Sequence, residues 1–170
     1  MPKKIALVYY SHRGSTAKLA AKLAESLSVS PIVLKEEAPR DAGAAGIGGL
    51  SLAGAAIAAR LGLKGRLQPF TAEVAARIAE ADTVVLGMPV WASSLPPPIN
   101  SFIAGRLKPG AAVRAFGTMK APTADKAVDT LRRRVERRGG RFEESLFVRA
   151  TELDSEETAR KIERFLSRLS

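Results

Sequence analysis

Apolar residues recur along the chain in two alternating rhythms. Residues 4–10 form a short apolar run with β-branched and aromatic members, the mark of a buried strand. Residues 11–14 interrupt it. From Ser15 to Leu27 the apolar positions Leu19, Ala20, Leu23, Ala24 and Leu27 return at helical spacing. The cycle then repeats. Strands are expected at 32–35, 83–87, 111–116 and 141–149, and helices at 71–81, 99–105, 123–138 and 154–169. Thr71 is the expected N-cap of its helix, with Val74, Ala75 and Ile78 inward. Val128, Leu131 and Val135 form the inner face of the helix that Gly139-Gly140 stops. Ile162, Phe165, Leu166 and Leu169 do the same for the closing helix. Five strands interleaved with five helical patterns imply an α/β three-layer sandwich, a parallel sheet covered on both faces. Right-handed crossovers leave few topologies, and the order 2-1-3-4-5 is the natural one. In such a sheet ligands bind at the carboxyl edge, near the switch between strands 1 and 3. That directs attention to three loops, at 11–16, 88–98 and 117–123.

Composition narrows the chemistry. A chain of 170 residues suits one domain, and the reading is a single domain over 1–170. There is no Cys, which removes disulfides, thiol nucleophiles and cysteine-ligated metals. With one His, His12, neither a His-rich metal site nor a Ser-His-Asp triad is expected, so redox chemistry would need a bound organic cofactor. The N-terminal run is too short, and too soon followed by charge, for a signal peptide. Residues 42–59 carry no charge, but they are mostly Ala and Gly and fall short of a spanning helix. A cytoplasmic protein without a membrane span is expected.

The net charge of +10 is uneven. Residues 106–141 hold 11 Lys and Arg against 3 Asp and Glu, whereas 142–170 hold 5 against 7. The run Arg132-Arg133-Arg134-Val135-Glu136-Arg137-Arg138 reads either as a solvated helix face or as a surface for an acidic partner. No aromatic is interleaved, so nucleic acid is not an expected partner.

The first loop runs Tyr9-Tyr10-Ser11-His12-Arg13-Gly14-Ser15-Thr16. A helix start offers free N–H groups and a positive dipole end, which suit a phosphate. The hydroxyls of Ser11, Ser15 and Thr16 add donors, and Gly14 lets backbone approach closely. A plain turn and N-cap is the alternative. Leu7 to Thr16, with Ala20 and Leu23 after it, resembles the flavodoxin signature at every fixed position. That resemblance implies a loop wrapped around the phosphate of FMN. Arg13 and Ser15 depart from the residues common there, and Arg13 adds a cation that would either turn inward or face solvent.

The second loop, Gly87-Met88-Pro89-Val90-Trp91-Ala92-Ser93-Ser94-Leu95-Pro96-Pro97-Pro98-Ile99, is similar to the loop after strand 3 in flavodoxin-family proteins. The resemblance places Pro89, Val90, Trp91, Ala92 and Ser93 along the isoalloxazine. Trp91 is the sole Trp, and a lone Trp is otherwise most often a core residue. The third loop begins Gly117-Thr118-Met119-Lys120, and the resemblance sets Gly117, Thr118 and Met119 at the flavin's far edge. Lys120 departs from the small residues expected there and would either favour the anionic reduced flavin by its charge or, the reading preferred, face solvent. Gly46-Ile47-Gly48-Gly49-Leu50-Ser51 lacks the third Gly and the preceding strand of a nicotinamide fingerprint. Residues 41–66 are read instead as a lid or a contact between copies of the chain.

The expectation is an FMN-binding, flavodoxin-like protein that transfers electrons to or from redox partner proteins, acidic ones in view of its own charge. An NAD(P)H:quinone-type oxidoreductase and a flavin-less binding module of the same fold are the alternatives. A receiver domain needs an Asp where Met88-Pro89 ends strand 3, and small phosphatases of similar topology need a Cys.

Overall fold

The computed structural model describes residues 3–37, 57 and 61–169. The Gly/Ala-rich stretch 42–59 lies outside the described residues apart from Ile57, and with it the lid and subunit-contact readings. The described elements are β1 (Ile5–Tyr9), α1 (Ser15–Leu27), β2 (Ile32–Val33), α2 (Ala72–Glu80), β3 (Thr83–Pro89), α3 (Pro97–Gly105), β4 (Ala112–Met119), α4 (Asp125–Arg137), β5 (Arg141–Arg149) and α5 (Glu156–Ser167). The strands form one parallel sheet in the order β2-β1-β3-β4-β5.

Side-chain alternation along the strands divides the core into two layers. Ala6, Val8, Val84, Leu86 and Met88 face the side covered by α2, α3 and α4, where Ile78, Ile99, Phe102, Leu131 and Val135 meet them. Leu7, Val85 and Phe116 face the side covered by α1 and α5, against Leu19, Leu23, Ile162 and Phe165. Thr71 caps α2 by accepting from the Val74 N–H, and Ser155 caps α5 by accepting from the Thr158 N–H.

Several boundaries differ from the pattern-based expectation. β3 and β4 run on to Pro89 and Met119, because their pairing continues through Met88↔Gly117 and Pro89↔Thr118. Pro89, Gly117, Thr118 and Met119 are therefore strand ends and not loop residues. Gly117 is required there by packing: a Cβ would lie 1.9 Å from the Met88 carbonyl oxygen. Helix α3 begins at Pro97, since the first helical turn needs no N–H donor. β2 is shorter than its apolar run, and Glu36 turns instead to an antiparallel bridge with Leu67. In α4 the buried stripe is Ala127, Leu131 and Val135, while Val128 is half-buried.

Candidate functional site

Three strand ends converge at the carboxyl edge of the sheet around a cavity of about 400 Å³. It lies at the β1/β3 switch, where the two neighbouring crossovers leave in opposite directions.

The loop after β1 forms the first wall, with Ser11, His12, Arg13, Ser15 and Thr16 lining the cavity. Gly14 does not line it; it is the N-cap of α1, at φ +90°. That left-handed conformation turns the chain into the helix and is one that side-chain-bearing residues adopt only at a cost. The Ser11 hydroxyl accepts from the N–H groups of Gly14 and Ala17, both at 3.2 Å, and so holds the turn together. Among the described residues, the first-turn N–H groups of Ser15 and Thr16 have no acceptor. The Thr16 hydroxyl is buried and hydrogen-bonded to the Thr118 hydroxyl at 2.8 Å, so it ties α1 to β4 at the wall of the cavity.

Pro89, Val90, Trp91, Ala92 and Ser93 form the second wall. Trp91 and Ser94 exchange two backbone hydrogen bonds of 3.1 and 2.8 Å, closing a two-residue turn. Its central residues, Ala92 and Ser93, have φ of +47° and +61°. Two positive φ values make this a type I′ turn, normally built from Asn and Gly. Trp91 is half-buried and meets Tyr10 and His12 edge-on, with ring centroids 5.8 and 5.7 Å apart. The single tryptophan thus lines the cavity while also packing against the core.

Thr118, Met119, Lys120 and Ala121 supply the third wall, and Ala150, just after β5, completes it. Lys120 is exposed yet lines the cavity, so the solvent-facing reading is half the answer. Ala121 lies within the 117–123 loop without being singled out there, and Ala150 escaped sequence reasoning altogether, because an alanine bears no chemical signal; only the register of β5 beside β4 brings Ala150 there. Gly117 lies behind the wall and does not line it. Among the described residues the lining includes two cations, Arg13 and Lys120, one imidazole and no carboxylate. No group of three or more His, Cys, Asp or Glu side chains that would hold a metal occurs among them.

The molecule so built matches solved structures over its whole length. A protein of Bacteroides eggerthii DSM 20697, provisionally designated a flavoprotein, superposes with a TM-score of 0.75 at 18% identity, covering 98% of each chain. A flavoprotein from Lactobacillus acidophilus NCFM solved in complex with FMN gives 0.64 at 19% identity, over 89% of this chain and 97% of that one. A flavodoxin of Streptococcus pneumoniae TIGR4 gives 0.58 at 19%, over 97% and 96%. The fold is flavodoxin-like. At these identities the likeness carries the architecture alone. No protein-family model matches the chain, and no curated protein matches it in sequence.

Proposed function

We propose that the chain binds one FMN non-covalently in this cavity and works in electron transfer. One arrangement carries the reading: a helix start with unpartnered N–H groups faces a turn bearing Trp91 across a single cavity at the sheet's carboxyl edge. The residues fit the group. The Ser15 and Thr16 N–H groups, the Ser15 hydroxyl and the Arg13 guanidinium would hold the phosphate, helped by the positive end of the α1 dipole. Trp91, Val90 and Pro89 on one side and Met119 on the other would bound the ring, whose polar edge needs backbone donors and acceptors nearby. Cavities of this class run from about 300 to 1,000 Å³ for drug-sized ligands, so about 400 Å³ is near the lower end.

Reversible electron uptake belongs to the flavin itself. The protein supplies the grip, the apolar walls and the local charge. The cavity lining contains no carboxylate among the described residues, and its one imidazole, His12, abuts Trp91. With no paired acid and base around the space, electron transfer is favoured over hydrolysis, while a flavin-dependent reductase would share these walls and differ by a substrate pocket over the ring. The flavodoxin-like neighbours, one of them an FMN complex, support the same reading.

Titrating the purified chain with FMN while following Trp91 emission tests the site. Strong quenching is expected, because the sole indole lines the cavity. Riboflavin, which lacks the phosphate, should bind at least tenfold more weakly, given about 1.5–3 kcal/mol for each charge-assisted hydrogen bond lost. Emission that ignores FMN would remove the assignment. Steady turnover of NAD(P)H and a quinone without a protein partner would keep the cofactor and replace the carrier with a reductase.

A further inference from the structure

Beyond Arg13 and Lys120, which line the cavity, much of the excess positive charge lies far from it. Arg106 caps the C-terminus of α3, Lys108 lies in the turn into β4, Arg133 and Arg137 lie in the last two turns of α4, Arg138 caps it, and Arg141 opens β5. These are the amino-edge connections of a parallel sheet, and the cavity is at its carboxyl edge. β4 alone spans eight residues, about 25 Å, between the two. A partner docked at this pole would not touch the cavity, which separates the basic surface from any electron exchange there.

The cations at this pole are poorly compensated: Glu80, held below its usual range first by Lys4 and more weakly by Lys108, belongs mainly to Lys4. Among the described residues none of the six makes an ion pair, although Lys4, Lys22, Arg114, Arg149, Lys161 and Arg168 elsewhere all do. Three are held in place by neutral groups. Arg106 stacks over the Phe70 ring at 5.5 Å. Arg138 donates to the Leu107 carbonyl and Arg141 to the Gly110 carbonyl, at 3.3 and 3.0 Å. Their positions are thereby fixed without loss of charge. Nearby acids are already engaged: Glu80 and Asp82 with Lys4, and Glu143 and Glu144 with Arg114. Glu136 is the exposed exception on α4. Arg134, half-buried beside them, is held below the usual guanidinium range, first by burial and then by Arg137 and Arg133. The helix dipole accounts for cations at the end of α4, but not for Lys108 or Arg141.

We infer that this arginine-rich pole is a docking surface for an anionic phospholipid bilayer, which it would grip with the cavity facing away from the lipid. Two observations favour lipid over a folded acidic partner. The cations are spread along two neighbouring connections, from α3 to β4 and from α4 to β5, and fluid headgroups can rearrange to meet such a field where a rigid partner must match it. Leu61 and Leu63 are exposed on either side of Gly62, which abuts the Arg134 guanidinium where it meets Asn100 of α3, so apolar side chains lie on the flank of the arginine cluster. Cations beside exposed leucines suit the boundary between headgroups and acyl chains.

Co-sedimentation of the full chain with phosphatidylcholine–phosphatidylserine vesicles, against pure phosphatidylcholine vesicles, tests this and needs no flavin. Binding is expected only with the anionic vesicles and should be lost at high salt. Each cation removed should lower the partition coefficient about fivefold. Arg133→Gln with Arg137→Gln should therefore cost about 25-fold. Arg160→Gln with Arg164→Gln on α5 changes the net charge equally and should cost far less. Equal losses from the two pairs would mean undirected attraction and overturn the proposal. So would equal binding to neutral vesicles, no vesicle binding at all, or retention on duplex DNA in the absence of vesicle binding. Far-ultraviolet circular dichroism of each variant confirms that the fold is intact, since all four side chains are exposed.

Discussion

Replacing Gly14 separates backbone conformation from steric fit at the candidate phosphate loop. A Cβ built on Gly14 meets no protein atom within 4 Å, so Gly14→Ala has no clash to pay. What remains is φ, at +90°. A left-handed conformation costs an alanine about 1–2 kcal/mol. Reduced freedom of the unfolded chain returns about 0.4–1 kcal/mol, leaving a net loss of roughly 1 kcal/mol. For a domain of this size that lowers Tm by about 2–4 °C. Asn tolerates the left-handed region, so Gly14→Asn should recover most of the loss. Gly14→Val is different, because a β-branched residue there would drive the chain out of the conformation and turn the Ser15 and Thr16 N–H groups aside. Losing two charge-assisted bonds of about 1.5–3 kcal/mol each predicts about 10²- to 10⁴-fold weaker FMN binding. Thermal unfolding of the apo forms gives the first quantity, and fluorescence titration with FMN the second. The reasoning fails if Gly14→Asn is no more stable than Gly14→Ala. It also fails if Gly14→Val binds FMN like the parent.

The tight turn at Trp91–Ser94 holds Ser93 at φ +61°, so Ser93→Gly should raise Tm by about 1–3 °C; a drop would show that the turn is not strained. Trp91→Ala should weaken FMN binding through lost ring contact, about 0.5–1.5 kcal/mol beyond area burial, while the preference for FMN over riboflavin is kept. Thr118→Val leaves the buried Thr16 hydroxyl without its partner and should cost about 1–3 kcal/mol in urea unfolding. The double variant Thr16→Val, Thr118→Val should recover much of that, and an additive double loss would mean that the hydroxyl pair is not the cause. Arg114 is buried and bonded to Glu143, Glu144 and the carbonyls of Phe165 and Arg168. Glu143 is part-exposed and Glu144 keeps Arg168, so Arg114→Met should cost about 1–3 kcal/mol, chiefly from the carbonyls left without a donor, and no measurable loss would show that its stem alone matters.

The order of elements was legible along the chain because burial on both faces makes each strand a continuous apolar run and each helix a one-sided stripe. Ser15–Leu27 and Arg141–Arg149 match the pattern residue for residue. The loops that line the cavity were legible too, since hydroxyls, a glycine and the lone Trp collect at the ends of β1 and β3. Where strands end was not legible: sheet pairing with a neighbour carries β3 and β4 past their apolar runs. The role of Thr16 was hidden for the same reason, as its hydroxyl partner is 102 residues away on β4. Ala121 and Ala150 enter the site by position and not by chemistry. The arginine run was visible as charge, but charge along a helix carries no address. The direction of α4, which must return from the carboxyl edge to start β5 parallel to β4, is what sends those guanidinium groups to the pole opposite the cavity.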